Sequence, residues 1–133
     1  LAPAMEEVMA KNADVKFIFK PLSFVDPENS HYQAQAGLAA YKQGKFAEFY
    51  KAVMSAEGRI NKDAIDGIAR GLNIDFDKYK ADVESDDINS DLNEIGNLAQ
   101  KIQVNGVPTV IINGKHVQTM DAADLQAAID AAK

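Results

Sequence analysis

The 133-residue sequence contains no cysteine, so the chain by itself carries no thiolate nucleophile, internal disulfide or thiolate metal site. Its two histidines, His31 and His116, have no i, i+4 partner and no acidic cluster at ligand spacing, and surface or hairpin positions account for them. Ser23 lacks the Gly-x-Ser-x-Gly setting of a hydrolase nucleophile. Asp82, Glu84, Asp86 and Asp87 suggest a calcium loop, but its sixth position would be Asp87 where glycine is needed, and its twelfth Asn93 where glutamate is needed. Carboxylates opening a helix against its dipole explain them better. What remains is Val104-Asn105-Gly106-Val107-Pro108-Thr109-Val110-Ile111-Ile112-Asn113-Gly114-Lys115-His116. Residues 109–112 are all β-branched and favour a strand. Pro108 opens it at the one position that can spare a backbone donor, and forces Val107 into extended geometry. Asn113-Gly114 tolerates positive φ and turns the chain back into residues 115–118 as an antiparallel partner. From these residues alone a trans Pro108 is the default, since only about 5–6% of X–Pro bonds are cis, and Val107 is equally well a core residue.

The elements that must carry this stretch are mostly helical. Met5, Val8 and Met9 repeat at i, i+3 and i+4 and predict a helix to about Asn12, with Pro3 comfortable in its first turn. Val15-Lys16-Phe17-Ile18-Phe19-Lys20 predicts a buried strand, stopped by Pro21. Ser30 is a plausible cap for a helix of small residues, Ala34, Ala36, Ala39 and Ala40, ended by Gly44. Phe46, Phe49, Tyr50, Val53 and Met54 mark one face of the next helix, closed by Gly58. Asn61 caps a third, with Ile65, Ile68, Ala69 and Leu72 as its stripe and Gly71 at a left-handed exit. A short helix covers residues 75–84. The fifth starts near Asp86 and carries Ile88, Leu92, Ile95, Ala99 and Ile102. After the hairpin, Asp121 caps a last helix burying Leu125, Ala128 and Ile129.

Length predicts one domain with a real core, and 47% hydrophobic with 26% charged residues is an ordinary globular mix. The longest apolar runs, Phe17-Ile18-Phe19 and residues 107–112, fall far short of the roughly 20 residues of a membrane helix. A net charge of −6 and a pI near 4.8 argue against nucleic acid as partner. The sequence begins with Leu1 and has no basic start followed by an apolar run, so any targeting peptide is expected to have been removed or not included. A helix, a strand, a run of helices, then a strand, hairpin strand and helix predict an α/β sheet with an all-helical domain inserted in one crossover.

Several segments resemble the DsbA-like branch of the thioredoxin superfamily. Leu1-Ala2-Pro3-Ala4-Met5-Glu6-Glu7 is similar to the part of the first helix that follows Cys-x-x-Cys, where a proline lies five residues after the second cysteine. Residues 15–20 with Pro21-Leu22 resemble the strand before the helical insertion. Gln43-Gly44-Lys45-Phe46-Ala47-Glu48-Phe49, residues 95–103, and Gly106-Val107-Pro108-Thr109 with Ile112-Asn113-Gly114 resemble the helical domain and the cis-proline loop. The resemblance implies a thioredoxin-like part at residues 1–22 and 104–133 and a helical insertion at 23–103. It also implies thiol–disulfide exchange by a cysteine at a helix N-terminus, where the dipole lowers the thiol pKa. Substrate would pair with the backbone at Val107, along Gly106 and a cis Pro108, in strand-addition fashion. Phe24 would border the groove or tuck under the helices. A valine before the proline resembles the oxidising members more than the isomerases.

The sequence departs from the family where the thiols belong. If Pro3 matches the helix proline, the second cysteine lies three residues before Leu1, and the preceding strand is missing with it. That strand would lie between residues 15–20 and 109–112, so its loss opens the sheet. The chain is therefore expected to be the C-terminal part of a longer oxidoreductase, itself inactive in disulfide exchange, or to borrow a strand from another chain. A smaller departure is Thr119-Met120, where relatives usually have glycine. The implied partners are extended or unfolded proteins with cysteines and a redox partner protein, in the periplasm or cell envelope, with no cofactor. Two other functions stay open: a cysteine-free binding module using the same loop, and a glutathione-using relative such as a kappa-class transferase.

Overall fold

Where each helix begins and ends follows from a few side chains, and the computed structural model describes the result for residues 2–22, 27–56, 60–104, 109–118 and 121–133. The elements are α1 (Ala2–Lys11), α2 (Pro27–Lys42), α3 (Phe46–Ser55), α4 (Lys62–Arg70), α5 (Phe76–Val83), α6 (Asp86–Lys101), β1 (Val110–Ile112), β2 (Lys115–Val117) and α7 (Ala122–Ala132). They fall into two compact units, Leu1–Phe19 with Val104–Lys133, and Lys20–Gln103.

In the helical unit α2 is the hub, and α3, α4, α5 and α6 all pack against it. Its alanines make this possible: Ala34, Ala36, Ala39 and Ala40 are buried and let four neighbours approach. Gly37 serves the same end, since a Cβ there would come 3.2 Å from the Phe46 ring. The surrounding core contains Tyr32, Phe49, Val53, Ile65, Ala69, Tyr79, Val83 and Ile88. α2 starts three residues before the expected Ser30 cap, at Pro27, whose fixed φ suits a first helical turn. Gly44, at φ 72, ends it. The side-chain amide of Gln43 then acts as a piece of backbone, accepting from the Asp75 N–H at 2.9 Å and donating to the Asp75 carbonyl at 3.0 Å.

Side-chain caps start α4, α5 and α6. Asn61 accepts from Ala64 N–H at 2.9 Å, Asp75 from Lys78 N–H at 3.1 Å and Ser85 from Ile88 N–H at 3.3 Å. The expected left-handed exit at Gly71 is not found, because Gly71 stays in the right-handed region at φ −76. Asn73 makes the positive-φ step instead, at φ 56, a residue type that tolerates it. Of the α6 stripe Ile88, Ile95 and Ala99 are buried and Leu92 is half-buried, while Ile102 is 45% exposed. Gly58 lies outside the described residues.

In the other unit α1 packs on α7, and α7 on β1. Val8, Leu125 and Ile129 form its buried centre, with Met5, Val15, Phe17, Val110, Ile112 and Val117 against them. β1 and β2 pair antiparallel, with Val110 opposite Val117, Ile111 opposite His116 and Ile112 opposite Lys115. Asn113 at φ 48 and Gly114 at φ 83 form the turn, both positive as a two-residue hairpin requires. Asp121 caps α7 by accepting from Ala123 N–H at 2.8 Å.

The expected buried strand at residues 15–20 is corrected by the structure. No strand forms there, and the sheet among the described residues is β1 and β2 alone. The alternation of a strand persists: Val15, Phe17 and Phe19 are half-buried, while Lys16, Ile18 and Lys20 are exposed, Ile18 by 64%. An alternating run becomes a strand only when a neighbouring backbone completes its ladder.

Candidate functional site

The residues that the sequence assigns to substrate, Gly106, Val107, Pro108 and Phe24, lie outside the described residues, as do Thr119 and Met120. The frame that follows the loop is described. Thr109 is half-buried, and β1 begins directly after it. Val110 and Ile112 point into the core built on Val8, Leu125 and Ile129, whereas Ile111 points the other way and is 47% exposed. This is the two-fold alternation of a strand held on one face.

Three ties fix that frame. Asn113 donates through Nδ2 to the Ala132 carbonyl at 3.1 Å, fastening the hairpin turn to the last turn of α7. Asn12, 1% exposed, donates to the Val8 carbonyl at 2.7 Å and so satisfies an open carbonyl of α1. It also exchanges hydrogen bonds with the Gln126 side chain, 2.5 Å one way and 3.0 Å the other. An outer ion pair joins Lys133 to Asp14 at 3.2 Å. The hydrogen bond from Lys133 and its charge hold the exposed Asp14 carboxyl below the ordinary range.

The strongest electrostatic cluster lies in the helical unit, and sequence reasoning missed it. Asp66 accepts from the Tyr32 hydroxyl at 2.7 Å, the Tyr79 hydroxyl at 3.0 Å and Lys80 Nζ at 3.0 Å. Lys62 and Lys80 also stand over the Tyr32 ring, at 5.3 and 5.9 Å from its centroid. Burial works against the ionised Asp66, but the hydrogen bonds from Tyr32, Lys80 and Tyr79 outweigh it and hold the carboxyl below its ordinary pKa. Burial, then the Asp66 charge and hydrogen bond, push the Tyr79 phenol far above its ordinary range. Near neutral pH both shifts favour a charged carboxyl and a neutral phenol, and the hydrogen bonds tie α2, α4 and α5 together. The only sequence signal for it was an aspartate between the buried Ile65 and Ala69. Its partners are 13 to 34 residues away.

His31 and His116 are both exposed. Among the described residues no group of three or more His, Cys, Asp or Glu side chains is placed to hold a metal ion. No helix among them is long and apolar enough to cross a membrane.

One unit carries a hairpin of three-residue strands with α1 and α7 and the other is all helical, and comparison with known proteins identifies the family. The family model described as a DSBA-like thioredoxin domain matches residues 2–131. The chain belongs to this DsbA-like thioredoxin family. Its fold is the α/β, thioredoxin-like fold of that family, and the family is one of thiol–disulfide oxidoreductases. The curated "Probable disulfide bond formation protein D" of Bacillus cereus is 28% identical over 96% of this chain and 62% of its own length. A solved thioredoxin-like oxidoreductase from Silicibacter pomeroyi is 27% identical with a TM-score of 0.86, covering 98% of this chain and 78% of that one. The thiol–disulfide exchange protein alpha-DsbA2 of Wolbachia pipientis shares the fold, with a TM-score of 0.88 at 23% identity over 99% of this chain and 73% of that one. This DsbA-like chain spans less than two thirds of the length of the curated relatives it matches.

Proposed function

We propose that this DsbA-like chain is the substrate-holding part of a thiol–disulfide oxidoreductase whose Cys-x-x-Cys lies upstream of Leu1. The observation that carries the proposal is a family match across residues 2–131 in a sequence without a single cysteine. The upstream thiol sits at the amino end of the helix that continues as α1, where free N–H groups and the dipole favour a thiolate. An extended substrate pairs with the backbone at Gly106 and Val107 beside Pro108, with Phe24 at the groove. One substrate thiolate attacks the enzyme disulfide and forms a mixed disulfide, displacing one enzyme thiolate. A second substrate thiolate then resolves it, so the substrate leaves oxidised and the enzyme leaves as a dithiol. A redox partner protein restores the enzyme disulfide. The setting is the periplasm or cell envelope, where disulfides persist.

The experiment uses the natural gene. Cys-x-x-Cys ending three residues before Leu1, an insulin-reduction signal from the longer protein, and none from the 133 residues alone are the expected results. An upstream sequence without cysteines would overturn the enzyme and leave the second function, a module that holds extended chains, favoured by the same lack of thiols. Serine at those positions with glutathione binding would point to the kappa-class-like relative. In the longer protein, Pro108→Ala is expected to weaken substrate capture while leaving the reaction of the thiols with glutathione in place.

A further inference from the structure

Asn113 holds the hairpin in two ways. Its φ of 48, with Gly114 at 83, turns the chain between the paired Ile112 and Lys115. Its Nδ2 donates to the Ala132 carbonyl at 3.1 Å and fastens the turn to α7. The same amide precedes a glycine, whose nitrogen no Cβ shields, so side chain and backbone can meet. Both residues lie in the turn, outside the β1–β2 ladder, and both are exposed. Among the described residues no other asparagine precedes glycine. Asn12 is buried and bonded to Val8 and Gln126, while Asn73, Asn93 and Asn97 precede Ile74, Glu94 and Leu98. The second Asn-Gly pair of the sequence, Asn105-Gly106, lies outside the described residues.

We propose that Asn113 is a site of spontaneous modification through a cyclic imide, and that its conversion unfastens the hairpin from α7. The Gly114 nitrogen gives its proton to solvent and attacks Cγ of Asn113. The N–Cγ bond forms, the Cγ–Nδ2 bond breaks, and ammonia leaves with a proton taken from water. Water then opens the imide. Attack at Cγ gives aspartate in the original backbone, and attack at the main-chain carbonyl of residue 113 gives isoaspartate, with the backbone running through Cγ. Water is the only co-reactant. Either product has a carboxylate and no side-chain N–H, so the bond to the Ala132 carbonyl is lost. Isoaspartate also lengthens the backbone of a turn whose two-residue geometry sets the pairing. This inference stands apart from the proposed function, and a failed disulfide-exchange assay leaves it untouched.

Incubation of the folded 133-residue chain in warm, mildly alkaline buffer, followed by peptide mapping, tests it. Fragment masses separate position 113 from Asn105, and chromatography separates the two acid isomers. Acid is expected to accumulate at 113 as a mixture of aspartate and isoaspartate, faster as the pH rises, while Asn73 and Asn97 keep their amides. Asn113→Asp should raise hydrogen exchange of the Ile112 and Lys115 amides roughly two- to tenfold, the worth of one hydrogen bond. Asn113→Gly accepts the same φ and should give the same rise without a new charge. An Asn113 amide that survives in the folded chain for as long as the denatured chain takes to convert fully would overturn the modification. Unchanged hairpin exchange in both variants would overturn its consequence.

Discussion

The two units use similar apolar sequence to different effect. Phe17-Ile18-Phe19 and Val110-Ile111-Ile112 both read as strands, yet the second forms one and the first does not. The second has its partner three to seven residues away, delivered by the Asn113-Gly114 turn, while the first has no such turn to bring a strand back onto it. The helical unit scarcely meets this problem, because a helix satisfies its backbone within each turn and needs neighbours only for its apolar face. Its caps Asn61, Asp75 and Ser85 work three residues from their donors. The contrast teaches that the helical unit is specified mostly by local chemistry, and the strand-bearing unit by distant partners.

The largest expected effect tests the helical side. Ile65→Ala removes a fully buried side chain beside Tyr79 and Val83 in one core and should cost about 2–5 kcal/mol, measured by chemical denaturation followed through helical circular dichroism. Next comes the Asp66 tie. Tyr79→Phe removes one hydrogen bond to a charged acceptor that is partly exposed, and should cost about 1.5 kcal/mol.

The same variant sharpens a pH test. The folded pKa of Asp66 is depressed, so its contribution is present above the unfolded carboxyl pKa of about 3.9 and is lost as pH falls through the lower folded value. Thermal melts taken downward through that window should show a smaller loss for Tyr79→Phe than for the parent, because Asp66 has lost one of the bonds that depress it. Tyr79 is raised, so its contribution is present below an ordinary phenol pKa of about 10 and is lost above it as the pH climbs toward the folded value. The variant should lack that alkaline loss.

On the strand side, Gly114→Ala meets no atom within 4 Å, so its cost is the backbone strain of φ +83 alone, roughly 1–2 kcal/mol. Exchange of the hairpin amides is the measurement, and a neutral result would show that the turn does not set the pairing. Ile111→Thr alters an exposed, β-branched position and should stay within about 0.5 kcal/mol in the same assay. A loss as large as that of Ile65→Ala would mean that the outer face of β1 is covered, and would break the contrast between the units.

The four proposed substrate residues divide by how they became legible. Spacing placed Pro108 at the head of a strand and Val107 in extended backbone, but left a trans bond as the default. Their role with Gly106 and Phe24 came from likeness to the family. Nothing in the spacing pointed to Asp66, because a carboxylate at the edge of an apolar stripe looks like any solvated one until the Tyr32 and Tyr79 hydroxyls are brought to it.

The sequence by itself determined the helix stripes, the caps at Asn61 and Asp121, and the turn at Asn113-Gly114, since each is settled by partners a few residues away. Tertiary structure alone decided that residues 15–20 form no strand, that Asn73 and not Gly71 takes positive φ, and that Gln43 grips Asp75 as Asn12 grips Gln126. The physical reason lies in range. A hydrogen bond within one turn is encoded where it is made, while a ladder or a buried polar pair exists only once remote segments have met.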